Sequence, residues 1–300
     1  MKTRNWGLGI LAVGAVLAIS AGTLAPHGGP VPDTSAFGED QSPVAPAASA
    51  RPGIVGDVLS LLQEPRAVFE ARMKVSSQCM AAAGFPDFAR GGQADRLDDM
   101  SASLHGFPTL SLEGARTNGY RGREEPAFSP AADPSGELKA YLGFDPINAP
   151  SQSDLTKGCR GTGYLSVYGD ANASGEFGRV LGALQPAVHS AKQDNGLKSA
   201  LGDWSACMTE AGYPALTDPA KAASLSSNFV GADGKEGAGP EARKIAIADV
   251  TCRGKTSLVS RMDAVLARYL TTAVDKLGPE LAPARALRKE SAARVASPAK

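Results

Sequence analysis

Leu201-Gly-Asp-Trp204-Ser-Ala-Cys207-Met208-Thr-Glu-Ala-Gly212-Tyr213-Pro214 decides how this chain reads, because the same pattern stands earlier in it. Met73-Lys-Val-Ser-Ser-Gln-Cys79-Met80-Ala-Ala-Ala-Gly84-Phe85-Pro86 repeats the Cys-Met-x-x-x-Gly-aromatic-Pro run, with Ser77 and Ser205 each two residues before the Cys. A second echo follows downstream, Gly158-Cys159-Arg160-Gly161 against Thr251-Cys252-Arg253-Gly254. All the cysteines of the chain fall inside these ordered matches, which reads as an internal duplication. Each first segment is a helix closed by a glycine in the left-handed region, with a Pro two residues on that cannot continue it. Each leading Cys then lies about one turn before its helix ends. Trp204, three residues before Cys207, shares its helical face and is placed to cover the sulfur.

Working outward, the two later cysteines lie in the segments that must dock against these helix ends. After Pro240 there is no further Pro until beyond Gly278, and Leu258, Met262, Val265, Tyr269 and Leu277 recur at helical spacing. One long helix is therefore expected there, carrying Cys252 against the end of the Cys207 helix. Asp249 and Arg253 stand four apart on it, a pairing worth only a few tenths of a kcal/mol. Four cysteines allow three connectivities, and spacing alone does not choose. The symmetry of the two copies favours Cys79 with Cys159 and Cys207 with Cys252. In the chain-entropy model, loops of about 80 and 45 residues would contribute roughly 4.5 and 4 kcal/mol.

The fold class expected is all-α: two disulfide-linked helical units, residues 54–170 and 171–278, with a long irregular insertion in the first. That insertion, residues 87–135, is rich in Gly, Pro, Asp and Ser. A short helix is expected near Glu137–Leu142, and helix over Phe177–Gly212 with breaks at Pro186 and Gly196. Asp218-Pro219 reads as a helix start, with Asp as cap and Pro in the first turn.

The N-terminus carries the address. Lys2 and Arg4 precede an uncharged apolar run through residue 25, the pattern of a secretory signal or of a retained membrane anchor. Either reading puts the rest of the chain outside the cytoplasm, where structural disulfides persist. Residues 26–53 are rich in Pro, Ala, Gly and Ser and read as a flexible stalk. Residues 279–300 form a basic, helix-prone tail without a wide apolar face, read as a frayed surface helix. Basic and acidic residues balance at 31 each, so no concentrated positive field is present to bind nucleic acid.

With the duplicated motif in view, the chain resembles a group of uncharacterised exported proteins of actinobacteria. The likeness lies in Trp204 to Tyr213, in Ala246-Ile-Ala248-Asp249-Val-Thr-Cys252, and in Gly158-Cys159-Arg160-Gly161 running to Tyr168-Gly169. Ser76 stands where the group's Trp would be in the first unit. The resemblance implies export and paired cysteines and carries no activity with it.

Chemical motifs are sparse. The cysteines are too far apart for a metal cluster, and His27, His105 and His189 are scattered, so no metal or cofactor is expected. His105 reads as a solvated loop residue and His189 as a helix-surface one, with no catalytic residue assigned. Gly161-Thr-Gly163 lacks the remaining features of a phosphate loop and reads as helix packing. Asp95, Asp98 and Asp99, and Glu124 and Glu125, read as solvated faces. Met80 and Met208 are expected to pack beside the disulfides. The function expected is that of a secreted or surface-tethered binding module of the cell envelope, with an unknown protein or polymer partner. The alternatives are an envelope-acting hydrolase and an anchored accessory subunit of a transporter or regulator.

Overall fold

Both leading cysteines sit three residues from the end of a helix that closes in the same way. The computed structural model describes residues 42–88, 100–121, 134–144, 156–229 and 239–297. The helix carrying Cys79 ends with Gly84 at φ 94°, and the helix carrying Cys207 ends with Gly212 at φ 94°. In the first, Phe85 N–H donates to the Met80 carbonyl (2.9 Å) and Gly84 N–H to Ala81 (3.1 Å). In the second, Tyr213 donates to Met208 (2.8 Å) and Gly212 to Thr209 (3.0 Å). This pair of bonds is the Schellman closure, which satisfies the last carbonyls and needs a residue tolerant of positive φ.

Among the described residues the regular structure is helical throughout. In chain order the helices are α1 (Ile54–Leu62), α2 (Arg66–Ala82), α3 (Ser101–His105), α4 (Leu112–Asn118), α5 (Pro134–Leu142) and α6 (Gly158–Tyr168). There follow α7 (Ala173–Gln193), α8 (Asn195–Glu210), α9 (Pro219–Ser227), α10 (Pro240–Lys255), α11 (Leu258–Lys276) and α12 (Ala282–Ala296). A short 3-10 turn, Gly119–Arg121, follows α4. The disulfides are Cys79–Cys159 and Cys207–Cys252. Cys79–Cys159 ties the end of α2 to the start of α6, whereas Cys207–Cys252 ties the end of α8 to the last turn of α10.

The described residues fall in one compact unit whose central core is shared. Ile54, Val58 and Leu62 of α1 pack with Val180, Leu184 and Val188 of α7 and with Leu266 and Leu270 of α11. Residues on both sides of position 170 thus build one core. The insertion crosses between the units as well: α4 and the 3-10 turn that follows it pack on α10, beside the second disulfide.

Three further expectations are corrected by packing. The helix expected to run unbroken past Pro240 breaks between α10 and α11, where Ser257 takes φ 50°. Helix α7 runs through Pro186 without breaking, and the chain instead turns at Asp194, whose side chain accepts from Gly196 N–H (2.7 Å). The stretch read as a frayed surface helix is helical, α12, but it is docked rather than frayed, packing on α6, α2 and α7. There Arg288 donates to the carbonyls of Leu61 (2.9 Å) and Leu62 (2.8 Å) and to Tyr168 Oη (2.6 Å).

The end of the proposed stalk is docked rather than loose. Val44 N–H donates to Ser190 Oγ (2.9 Å), Ala47 N–H to the Arg268 carbonyl (3.1 Å) and Arg51 N–H to Thr271 Oγ1 (2.9 Å). A Pro-rich strip can lie extended on a helical surface when its remaining donors are met in this way. The N-terminal residues read as signal or anchor lie outside the described residues. Among the described ones, no helix is long and apolar enough to cross a membrane.

Candidate functional site

The second disulfide unit is organised by one buried carboxylate. Asp249, on α10, is fully buried and accepts from Trp204 Nε1 of α8 (3.0 Å), Arg253 Nε (2.8 Å) and Tyr120 Oη of the 3-10 turn (2.6 Å). Arg253 Nη2 donates to it as well. The i,i+4 pairing expected to be weak is therefore a buried, bidentate ion pair with two further donors, which is what burial of a charge requires. Burial, and then the Asp249 charge, push the Tyr120 phenol far above its ordinary value.

Arg253 carries this network outward to the surface. Its Nη1 donates to the Pro108 carbonyl (2.8 Å), and its guanidinium lies 4.2 Å from the centre of the Phe107 ring. Phe107 stacks in turn on His105, with ring centroids 5.8 Å apart. His105 closes α3, and Gly106, at φ 85°, turns the chain there. With its proton on Nε2, the ring donates to Asp263 Oδ1 of α11 (2.8 Å). The His105 side chain is 9 % exposed, so it is neither solvated nor part of a loose loop. His189, by contrast, lies exposed on α7, as expected.

These groups form one wall of a cleft of about 400 Å³ at the corner between α10 and α11. His105, Phe107, Thr109 and Leu110 face Val250, Arg253 and Gly254 of α10 and Ser257, Val259 and Ser260 at the start of α11. Val259 is an exposed large apolar residue at its edge. The break at Ser257 creates the corner, for a continuous helix would present a convex flank there. Sequence reasoning missed Phe107, Asp263, Ser257 and Val259. The available local signal was the run Gly254-Lys-Thr-Ser257, poor in strong helix formers in its last two positions.

The first disulfide unit is closed differently. Ser76, standing where the second unit has Trp204, donates to the Cys159 carbonyl (3.1 Å) and is fully buried. Gly163 of α6 faces it so closely that an added Cβ would lie 2.2 Å from Ser76 Oγ and 3.1 Å from the Arg72 carbonyl. Gly161-Thr-Gly163 is therefore a helix-contact sequence. The buried cation here is Arg72, bonded to Glu64 through Nη2 (2.9 Å) and Nε (3.1 Å) and lying 4.4 Å from the Tyr164 ring centre. Glu64 also accepts from Tyr168 Oη (2.9 Å).

Met80 and Met208 are fully buried in the clusters of Cys159 and Cys252 respectively. Among the described residues no group of three His, Cys, Asp or Glu is placed to hold a metal ion. His27, Asp95, Asp98, Asp99, Glu124 and Glu125 lie outside the described residues. No protein-family model, curated protein or solved structure matches the chain.

Proposed function

We propose that this chain is an exported, disulfide-braced helical module that binds a partner in the cell envelope through the cleft at the α10–α11 corner. The observation that carries the reading is the cleft itself. It is a recess in which the apolar side chains of Phe107, Leu110, Val250 and Val259 stand beside the polar ones of His105, Thr109, Arg253, Ser257 and Ser260, a mixture that recognition sites use. Its walls are held by a disulfide and by a buried ion-pair network, so the binding surface is pre-organised. Two disulfides are consistent with a location outside the cytoplasm. The N-terminal run would then act as signal or anchor, as in the exported actinobacterial group that the motif resembles.

The test uses the full chain and its Val259→Asp variant, each incubated with isolated cell envelopes and sedimented. Val259 is 38 % exposed, so the charge is tolerated by the fold. Binding that saturates for the parent and drops at least tenfold for the variant supports the proposal. Equal binding by both, or none by either, overturns it.

One observation favours a second reading, the envelope hydrolase. His105 rests on a carboxylate and lines the same cleft as Ser257 and Ser260, the residue types of nucleophilic catalysis. Neither serine hydroxyl is hydrogen-bonded to the ring, however. Ester turnover by the parent that is lost in His105→Gln would establish the hydrolase over the binding module.

A further inference from the structure

Glu137 and Asp249 are the buried carboxylates among the described residues, and their surroundings are opposite. Asp249 accepts from Trp204, from Tyr120 and twice from Arg253. Glu137, on α5 and 3 % exposed, has neither a hydrogen bond nor an ion pair among the described residues. The helix that carries it is pinned at its far end. Gly143 and Gly158 both take positive φ, 80° and 67°, and a Cβ on Gly158 would lie 2.4 Å from Gly143 N. One turn after Glu137, Tyr141 is buried and packs on Phe88, with ring centroids 4.6 Å apart, in the cluster of Met80 and Cys159. Residues four apart share a helix face, so the register that seats Tyr141 also turns Glu137 inward.

The charged groups of the elements packed on α5, which are α6 and α2, are committed elsewhere. Arg160 of α6 lies over the Tyr164 ring and donates to Ser174, and Lys157, at the start of α6, and Asp87, after α2, have other partners. On α2, Arg66 pairs with Glu70 and Arg72 with Glu64, while Lys74 is exposed, as is Lys139 of α5 itself. An ionised carboxylate buried without donors is far costlier than the neutral acid. Burial accordingly pushes the Glu137 carboxyl above its ordinary value.

We propose that Glu137 is an acid-responsive latch: α5 is seated on the first disulfide unit while Glu137 is a neutral carboxylic acid, and loosens when Glu137 ionises. Ionisation releases the proton to solvent, and α5 must open for the carboxylate to reach water. The seated helix holds the proton to higher pH than an exposed glutamate does. The stability it adds is therefore fully present below the ordinary carboxyl range and is lost as pH rises through the seated value. The latch lies in the first unit, apart from the α10–α11 cleft.

Carbon-13 titration of the glutamate carboxyls in the full chain tests this, together with amide-exchange protection of α5 corrected for the intrinsic effect of pH. Glu137→Gln keeps the shape of the neutral acid and cannot ionise. In the parent, Glu137 is expected to titrate above the exposed Glu241 and Glu290. Protection of α5 relative to α8 should fall roughly tenfold between about pH 4 and about pH 8, and stay level in the variant. Glu137 titrating with the exposed glutamates, protection of α5 in the parent that is level across this range, or the same fall in the variant overturns the inference. Should the variant not fold, the carboxyl titration of the parent decides alone.

Discussion

The two disulfide units end their leading helices with the same bonds and the same glycine angle, yet fill the space behind the disulfide by opposite means. In the first, Ser76 against Gly163 lets α2 and α6 approach closely, and the polar anchor, Glu64–Arg72, sits two turns from the disulfide. In the second, Trp204 fills the space and bonds Asp249, one turn from Cys252. The first solution packs backbone on backbone and leaves a filled contact. The second spaces the helices around a carboxylate and carries Arg253 out to a cleft. One local closure therefore serves both units, and the residue at the matched position differs, Ser76 beside a close helix contact and Trp204 beside a buried carboxylate.

The comparison can be broken most severely by removing the disulfides. Replacing Cys79 and Cys159 together with Ser is expected to cost about 4.5 kcal/mol, and Cys207 with Cys252 about 4 kcal/mol, in urea unfolding. A much smaller loss in one unit would show that its packing substitutes for the crosslink. Asp249→Ala leaves Arg253 buried without its partner and strands the Trp204 and Tyr120 donors, so a loss of about 3 to 4 kcal/mol is expected by the same measurement. Glu64→Ala in the first unit should cost less, because the Glu64 side chain is 13 % exposed whereas Asp249 is fully buried.

Smaller substitutions sharpen the contrast. Gly163→Ala drives a methyl into Ser76 and the Arg72 carbonyl and should cost about 1–3 kcal/mol as overpacking. Gly84→Ala and Gly212→Ala each force an L side chain to φ 94°, at about 1–2 kcal/mol. Because the two closures are alike, their costs should agree, and thermal melts of the pair check it.

Alkaline titration offers the mildest probe. Burial raises both the Tyr120 and the Tyr168 phenols, with Asp249 and Glu64 adding to it in turn. The folded state thus holds these protons while the unfolded chain releases them. Stability should be unchanged below the ordinary phenol range near about pH 10 and fall as pH rises above it. Absorbance at the tyrosinate band should show both phenols ionising only on unfolding.

Much of the fold was legible because its signals are local. A Cys-Met-x-x-x-Gly-aromatic-Pro run contains its own stop, and Asp218-Pro219 its own start, so those helix ends appear where they were read; Asp218 Oδ1 accepts from Lys221 N–H (3.0 Å). What failed depended on partners far along the chain. Asp249 and Arg253 read as a weak helical pair because nothing nearby in the sequence announces that Trp204 and Tyr120 bond the same carboxylate. Residues 279–300 lack a wide apolar stripe, yet α12 is held by Arg288 reaching carbonyls of α1, a contact that leaves no periodic trace. The cleft was hidden for both reasons. It joins residues 105–110 to residues 250–260, and it exists because the chain turns at Ser257 without a Gly or Pro.

Binding at the α10–α11 corner, rather than elsewhere on the molecule, is the most direct consequence of the proposed function. Chemical-shift mapping of the isotope-labelled full chain, titrated with solubilised envelope peptides, reads this residue by residue. The expected result is perturbation confined to the second unit, at His105, Thr109, Val259 and Ser260, with the resonances around Cys79 and Cys159 unmoved. Shifts centred on the first unit, or none at saturating peptide, would contradict it.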